Sequence, residues 1–146
     1  MDGGKIISEL AFQKGADMIS VLAAANNSTI EAVLKKSKSY KKMVLVDMCA
    51  VENIKKRAQS IERFNPDYIC VHRATDMKVK GKDPLKELQL LENINSKKAV
   101  AGGIDLSNFR KACQSSADNI IVGGSIYQAE QPSIIAKKMR EIINGY

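Results

Sequence analysis

The sequence predicts an α/β fold: a parallel sheet of about five βα units, forming either an open sheet or part of a (βα)8 barrel. Three observations lead there. Apolar runs of strand length alternate with longer amphipathic stretches along all 146 residues, the pattern of repeated βα units. The runs are nearly continuous in hydrophobicity, as expected of strands covered on both faces. The last two end in glycine pairs, Ala99-Val100-Ala101-Gly102-Gly103-Ile104 and Asn119-Ile120-Ile121-Val122-Gly123-Gly124-Ser125, with Gly123 falling 21 residues after Gly102. Glycine lets backbone N–H groups approach an anion closely, and in a parallel barrel the loops after the final two strands commonly hold a phosphate.

In order, the chain opens with a helical pattern over 4–14, which Gly15-Ala16-Asp17 ends before a strand at 17–22. Asn27-Ser28 can cap a helix at 28–39, followed by a strand at 43–48. A helix over 51–63 stops at Asn65-Pro66-Asp67, an echo of the earlier step, and leads into the strand at 67–71. Helices at 84–93 and 106–115 flank a strand at 98–101, and Asp105 stands where a cap for the second of them belongs. A strand at 118–122 precedes a helix over 131–143, whose Pro132 suits a first turn. No linker or low-complexity stretch divides the chain, so one domain over 1–146 is expected.

The chain is 45% hydrophobic, enough to bury a real core. No apolar segment approaches the roughly 20 residues that cross a bilayer, and no basic and apolar leader opens the chain. A cytoplasmic protein without membrane contact is expected. Cys49, Cys70 and Cys113 are widely spaced and lie in or beside apolar runs, which reads as reduced core or near-core thiols. The single histidine, His72, excludes a multi-histidine metal site within one chain. A net charge of +7 favours anionic partners without choosing between sugar phosphate and nucleic acid. With no tryptophan and only seven Phe and Tyr residues together, there is little material for base stacking, which argues against nucleic acid.

Taken in order, Met1-Asp2-Gly3-Gly4, Gly15-Ala16-Asp17, Val46-Asp47-Met48, Tyr68-Ile69-Cys70-Val71-His72, Gly81-Lys82-Asp83-Pro84, the stretch 99–104 and Val122-Gly123-Gly124 resemble the 3-hexulose-6-phosphate synthases, a branch of the orotidine 5′-monophosphate decarboxylase suprafamily. The resemblance covers essentially the whole chain and implies a (βα)8 barrel, of which this chain is the C-terminal part. It further implies a homodimer with active sites at the subunit interface. Asp2 matches the last residue of the family's Asp-x-Lys-x-x-Asp motif. The lysine, the magnesium-binding acids and the first three strands would then precede residue 1, so the Mg2+ ligands are expected outside this chain. Asp47, Thr75 and Ala101 stand where the neighbouring 3-keto-L-gulonate-6-phosphate decarboxylases carry glutamate, arginine and threonine, which favours the synthase branch. His72-Arg73 is the one decarboxylase-like pair.

The resemblance implies an aldehyde-lyase joining formaldehyde to ribulose 5-phosphate through an enediolate, with turnover of this chain expected to be impaired because the motif lysine and the magnesium-binding acids would precede residue 1. Such chemistry needs a base to move a proton and cations to hold the developing charge. His72 directly follows a buried strand, as a proton-transfer group at a barrel mouth does. Asp47 also ends a strand and can orient a substrate hydroxyl or water. Gly102, Gly103, Gly123 and Gly124 are the expected phosphate ligands through their amides, with Ser125 adding a hydroxyl. Thr75, Asp76 and Ala101 are expected to touch substrate, and Asp2 to act catalytically. Lys78, Lys80 and Lys82 add cations to the same loop. Two other readings stand beside this one: a keto-sugar-acid phosphate decarboxylase, and a non-catalytic phosphate-binding or interaction protein.

Overall fold

The computed structural model describes residues 3–73 and 83–145. In chain order the elements are α1 (Gly4–Gln13), β1 (Met18–Leu22), α2 (Asn27–Tyr40), β2 (Met43–Asp47), α3 (Ile54–Glu62), β3 (Tyr68–His72), α4 (Pro84–Glu87), β4 (Lys97–Ala101), α5 (Phe109–Cys113), β5 (Asn119–Ile121), α6 (Gly124–Tyr127) and α7 (Pro132–Asn144). A 3-10 turn, Leu88–Leu91, continues α4.

The five strands pair in parallel in the order β1-β2-β3-β4-β5. Each new strand is added on the same side of the last, which is how a barrel is wound. A doubly wound sheet would reverse direction at a switch point. The arrangement is therefore an arc of a (βα)8 barrel. No helix among the described residues is long and apolar enough to cross a membrane.

Side chains alternate between the two faces of the arc, as the period of two requires. Val44, Val46, Ile69, Val71 and Val100 face the helices and are fully buried, in a core with Ile30, Ile61, Leu88, Leu91 and Met139. The opposite set, Leu45, Cys70, Ala99 and Ala101, forms a second, smaller cluster with Met18 and Tyr68. This second face is the inner wall of the barrel. Two residues further along β2 and β3, the same alternation puts Asp47 and His72 on the inner wall, at the C-terminal ends of their strands.

The aspartates that precede strands stitch the other end of the sheet together. Asp67 accepts a hydrogen bond from Val44 N at 2.8 Å, and Asp118 one from Lys98 N at 2.8 Å. Asp17 pairs with Lys42 while its carbonyl accepts from Met43 N at 3.1 Å. The repeated Gly-Ala-Asp and Asn-Pro-Asp steps are thus backbone staples at the base of the arc.

Several local expectations are corrected. The N-cap of α2 is Asn26, without a side-chain bond, because Asn27 Oδ1 is taken by Arg57 at 2.6 Å. The expected helix at 106–115 begins only at Phe109: Asp105 closes a turn by accepting from Ser107 N, and its carbonyl receives Phe109 N at 2.8 Å. The pattern at 84–93 divides into one short helix and a 3-10 turn. Pro132 does open α7.

Candidate active site

Asp47 and His72 meet across neighbouring strands. In the β2–β3 ladder Asp47 lies opposite Cys70, so His72 is its diagonal neighbour on the same face. His72 Nδ1 and Asp47 Oδ2 are 2.8 Å apart. A carboxylate can only accept, so Nδ1 carries the hydrogen and Nε2 is the ring atom left with a lone pair. The other carboxylate oxygen, Oδ1, accepts from Cys49 N at 2.8 Å. That amide is aimed by a tight turn in which Val51 N donates to Met48 O at 3.1 Å and Ala50 is left-handed, at φ 61°. The side chains retain 31% and 17% of their surface, so the imidazole is within reach of a ligand while the carboxylate behind it is shielded.

The two glycine loops differ in what their glycines do. Gly102 and Gly103 adopt φ of 85° and 67°, in the left-handed region that favours glycine. At Gly102 a Cβ would also come within 2.1 Å of Arg73 O, because the chain leaving β3 runs against that leaving β4 and Arg73 N donates to Ala101 O at 3.1 Å. Gly123 and Gly124 have no positive φ, and a Cβ there would meet neighbours no nearer than 3.7 Å. The first pair is required by conformation; at the second a Cβ would make only ordinary van der Waals contacts.

The N–H groups of Gly102, Gly103, Ile104, Gly123, Gly124 and Ser125 engage no acceptor among the described residues. The carbonyls around them are occupied. Asn108 Nδ2 donates to Gly103 O at 2.8 Å, Asn108 Oδ1 accepts from Asp105 N at 2.9 Å, and the Ser125 hydroxyl donates to Ile104 O at 2.7 Å. Sequence reasoning missed Asn108; its signal was the turn-forming run Asp105-Leu106-Ser107-Asn108. It also took Ser125 only as a ligand.

One cavity of about 750 Å³ joins these parts, lined by Asp47, His72, Ala101, both glycine pairs and Ser125, with Ser20, Asp105 and Tyr127 contributing to its wall. Cys70 lies in the same wall, and burial, helped by the Asp47 charge, pushes its thiol up to about 12; it is an inert filler at neutral pH. Asp2, Thr75 and Asp76 lie outside the described residues, as do Lys78, Lys80 and Lys82. Among the described residues no three His, Cys, Asp or Glu side chains converge as a metal site would need.

The model of the orotidine 5′-phosphate decarboxylase / HUMPS family matches residues 1–139. A 3-hexulose-6-phosphate synthase of Bacillus subtilis (strain 168) is 39% identical over 145 residues, covering 98% of this chain and 69% of the relative. Among solved structures, 3-hexulose-6-phosphate synthase from Salmonella typhimurium superposes with a TM-score of 0.91 at 31% identity, over 99% of this chain and 70% of that one. The 3-keto-L-gulonate-6-phosphate decarboxylase of Vibrio cholerae follows at 0.80 and 25% identity, over 100% and 69%.

Proposed function

Because the chain belongs to the orotidine 5′-phosphate decarboxylase / HUMPS family, we propose that its cavity takes ribulose 5-phosphate and serves the aldol chemistry of a 3-hexulose-6-phosphate synthase. The observation that carries this reading is that the Asp47–His72 pair and both glycine loops line one cavity. A proton-moving pair and a set of amides open to an anion are two of the things a sugar-phosphate enediolate reaction requires, beside a cation for the developing charge.

In this reading the phosphate rests on the amides of residues 103, 104, 124 and 125, and the sugar extends along the inner wall toward His72. Asp47 holds the imidazole in the tautomer whose Nε2 is basic. Nε2 takes a proton from C1 of the ketose, leaving the 1,2-enediolate. C1 then bonds to the carbonyl carbon of formaldehyde, and the carbonyl oxygen receives the proton back from the imidazolium. Atoms and charge balance without a further reactant. Magnesium, which the family reading implies, has no ligand set among the described residues, so they account for the proton transfer and the phosphate, not for a cation at the enediolate oxygens.

The same reading makes the protein one barrel-type domain of a cytoplasmic enzyme working as a homodimer. Its three free cysteines and the exposed aliphatic side chains of α1, Ile6 and Ile7 at 65% and 66%, support that setting and that assembly. The test is formaldehyde-dependent consumption of ribulose 5-phosphate, with carbon dioxide release from 3-keto-L-gulonate 6-phosphate as the rival reaction. Consumption without carbon dioxide is expected, and His72→Gln should lower the rate by about 100-fold or more. Carbon dioxide release in place of formaldehyde uptake would transfer the chain to the decarboxylase branch.

A further inference from the structure

We infer that Ser125 and Asn108 are positioning residues whose side chains hold the first glycine loop in its anion-accepting shape, and that the Ser125 hydroxyl is not itself a phosphate ligand. The inference rests on the phosphate reading above and gives its second loop a different task.

The geometry is that of two pinned peptide planes. In a trans peptide the carbonyl and the following N–H point in opposite directions. Asn108 Nδ2 holds Gly103 O at 2.8 Å, so the Ile104 N–H is turned to the other side of the chain. The Ser125 hydroxyl holds the next carbonyl, Ile104 O, at 2.7 Å from across the cavity wall. Asn108 Oδ1 closes the brace on Asp105 N at 2.9 Å. Residues 102 and 103 are both left-handed, a conformation that costs free energy at most positions and persists where its surroundings over-determine it. Two side chains supply that determination, one from the same loop and one from α6.

The hydroxyl count settles what Ser125 can offer. A serine carries one hydrogen, and here it is given to Ile104 O. What remains is acceptor capacity, which a phosphate dianion cannot use. A direct bond from Ser125 to phosphate would require the hydroxyl to rotate away and release Ile104 O, loosening the loop whose amides do the binding. Ser125 therefore joins the two glycine loops to each other, and the anion is met by backbone N–H groups alone.

The experiment uses 15N-labelled protein, titrated separately with ribulose 5-phosphate and with inorganic phosphate, in the parent chain and in Ser125→Ala, Ser125→Thr and Asn108→Ala. In ligand-free Ser125→Ala the amide signals of residues 103–105 should already be displaced. Affinity for both ligands should fall about 10-fold in Ser125→Ala and in Asn108→Ala, and return to within about 3-fold of the parent in Ser125→Thr. The inference is overturned if ligand-free Ser125→Ala leaves those signals in place while affinity falls, which would make Ser125 a ligand. It is equally overturned if affinity is unchanged in both alanine variants. A parent chain that binds neither ligand would sink the phosphate reading, and the ligand-free signals would still decide the brace.

Discussion

At the scale of single residues, the constraint on Gly102 and the freedom at Gly124 make a sharp pair. Gly102→Ala must accommodate both a left-handed φ and a Cβ within 2.1 Å of a backbone oxygen, so it should lower stability by about 3 kcal/mol or prevent folding. Gly124→Ala places its methyl 3.8 Å from the Gln128 side chain and should change stability by less than about 1 kcal/mol. Denaturant titration of the two variants checks both. Cys70 gives a pH-dependent expectation. Its thiol is pushed up to about 12, first by burial and then by Asp47, so the folded state favours the protonated form. That contribution is complete below the ordinary thiol value, about 8.5, and is lost as pH rises toward the folded one. Cys70→Ala or Cys70→Val should therefore flatten the alkaline limb of the stability curve, and at pH 8 iodoacetamide should label Cys49 and Cys113, which are partly exposed, well before Cys70. Asp105 works in the opposite direction: hydrogen bonds from Ser107 hold its carboxyl below the ordinary value, so its contribution is present above about pH 4 and vanishes as pH falls through the lowered value. Ser107→Ala should reduce that acid dependence.

At the scale of elements, the loop after β1 is held by one side chain from α3. Arg57 donates from Nε to Ala23 O at 2.7 Å, from one amino group to Asn27 Oδ1 at 2.6 Å and from the other to Ala25 O at 2.8 Å. Ala23 N in turn donates to Asp47 O at 2.7 Å, so this fork extends the β1–β2 ladder up to the Asp47–His72 pair. Arg57→Ala leaves those acceptors unpaired and should cost about 2 kcal/mol; Arg57→Lys, which cannot fork, should recover only part of it. Hydrogen exchange at the Ala23 amide should quicken in both. The strands were legible in the sequence because both the helix-facing and the inner-wall positions of β2, β3 and β4 are largely apolar, while the outer strands β1 and β5 keep the same composition without a buried residue. Helix ends were less so: Asn27 looks like a cap until Arg57 from another element claims it, and Asp105 begins a turn whose continuation into helix is delayed to Phe109. Such outcomes depend on long-range partners that no local pattern contains.

At the scale of the whole molecule, strand order and chemistry agree. The arc β1 to β5 carries Asp47, His72 and both glycine loops at its C-terminal rim, and the chain spans about 70% of the length of the relatives it matches. The ordered motifs along the chain identified the family, and their places at strand ends put Asp47 and His72 at the barrel mouth; that they share one wall came only from the strand register. What the sequence could not disclose was the division of labour proposed for the two glycine loops. Ser125 beside two glycines reads as a ligand, and only its bond to Ile104 O, 21 residues back in the chain, supports the proposed role as a brace. The exposed Ile6 and Ile7 on α1 give a test of the proposed homodimer at this scale: Ile7→Glu should shift it toward monomer in light scattering with little change in the helical signal.

The most direct test is a titration of the labelled protein with ribulose 5-phosphate, following the backbone amides of residues 103, 104, 124 and 125 together with the side-chain signals of His72, the only histidine in the chain. A single saturable transition that moves both groups of signals at the same ligand concentration is the predicted result. Signals that stay fixed at both glycine loops through saturating ligand, in protein whose spectrum is otherwise that of a folded chain, would contradict it.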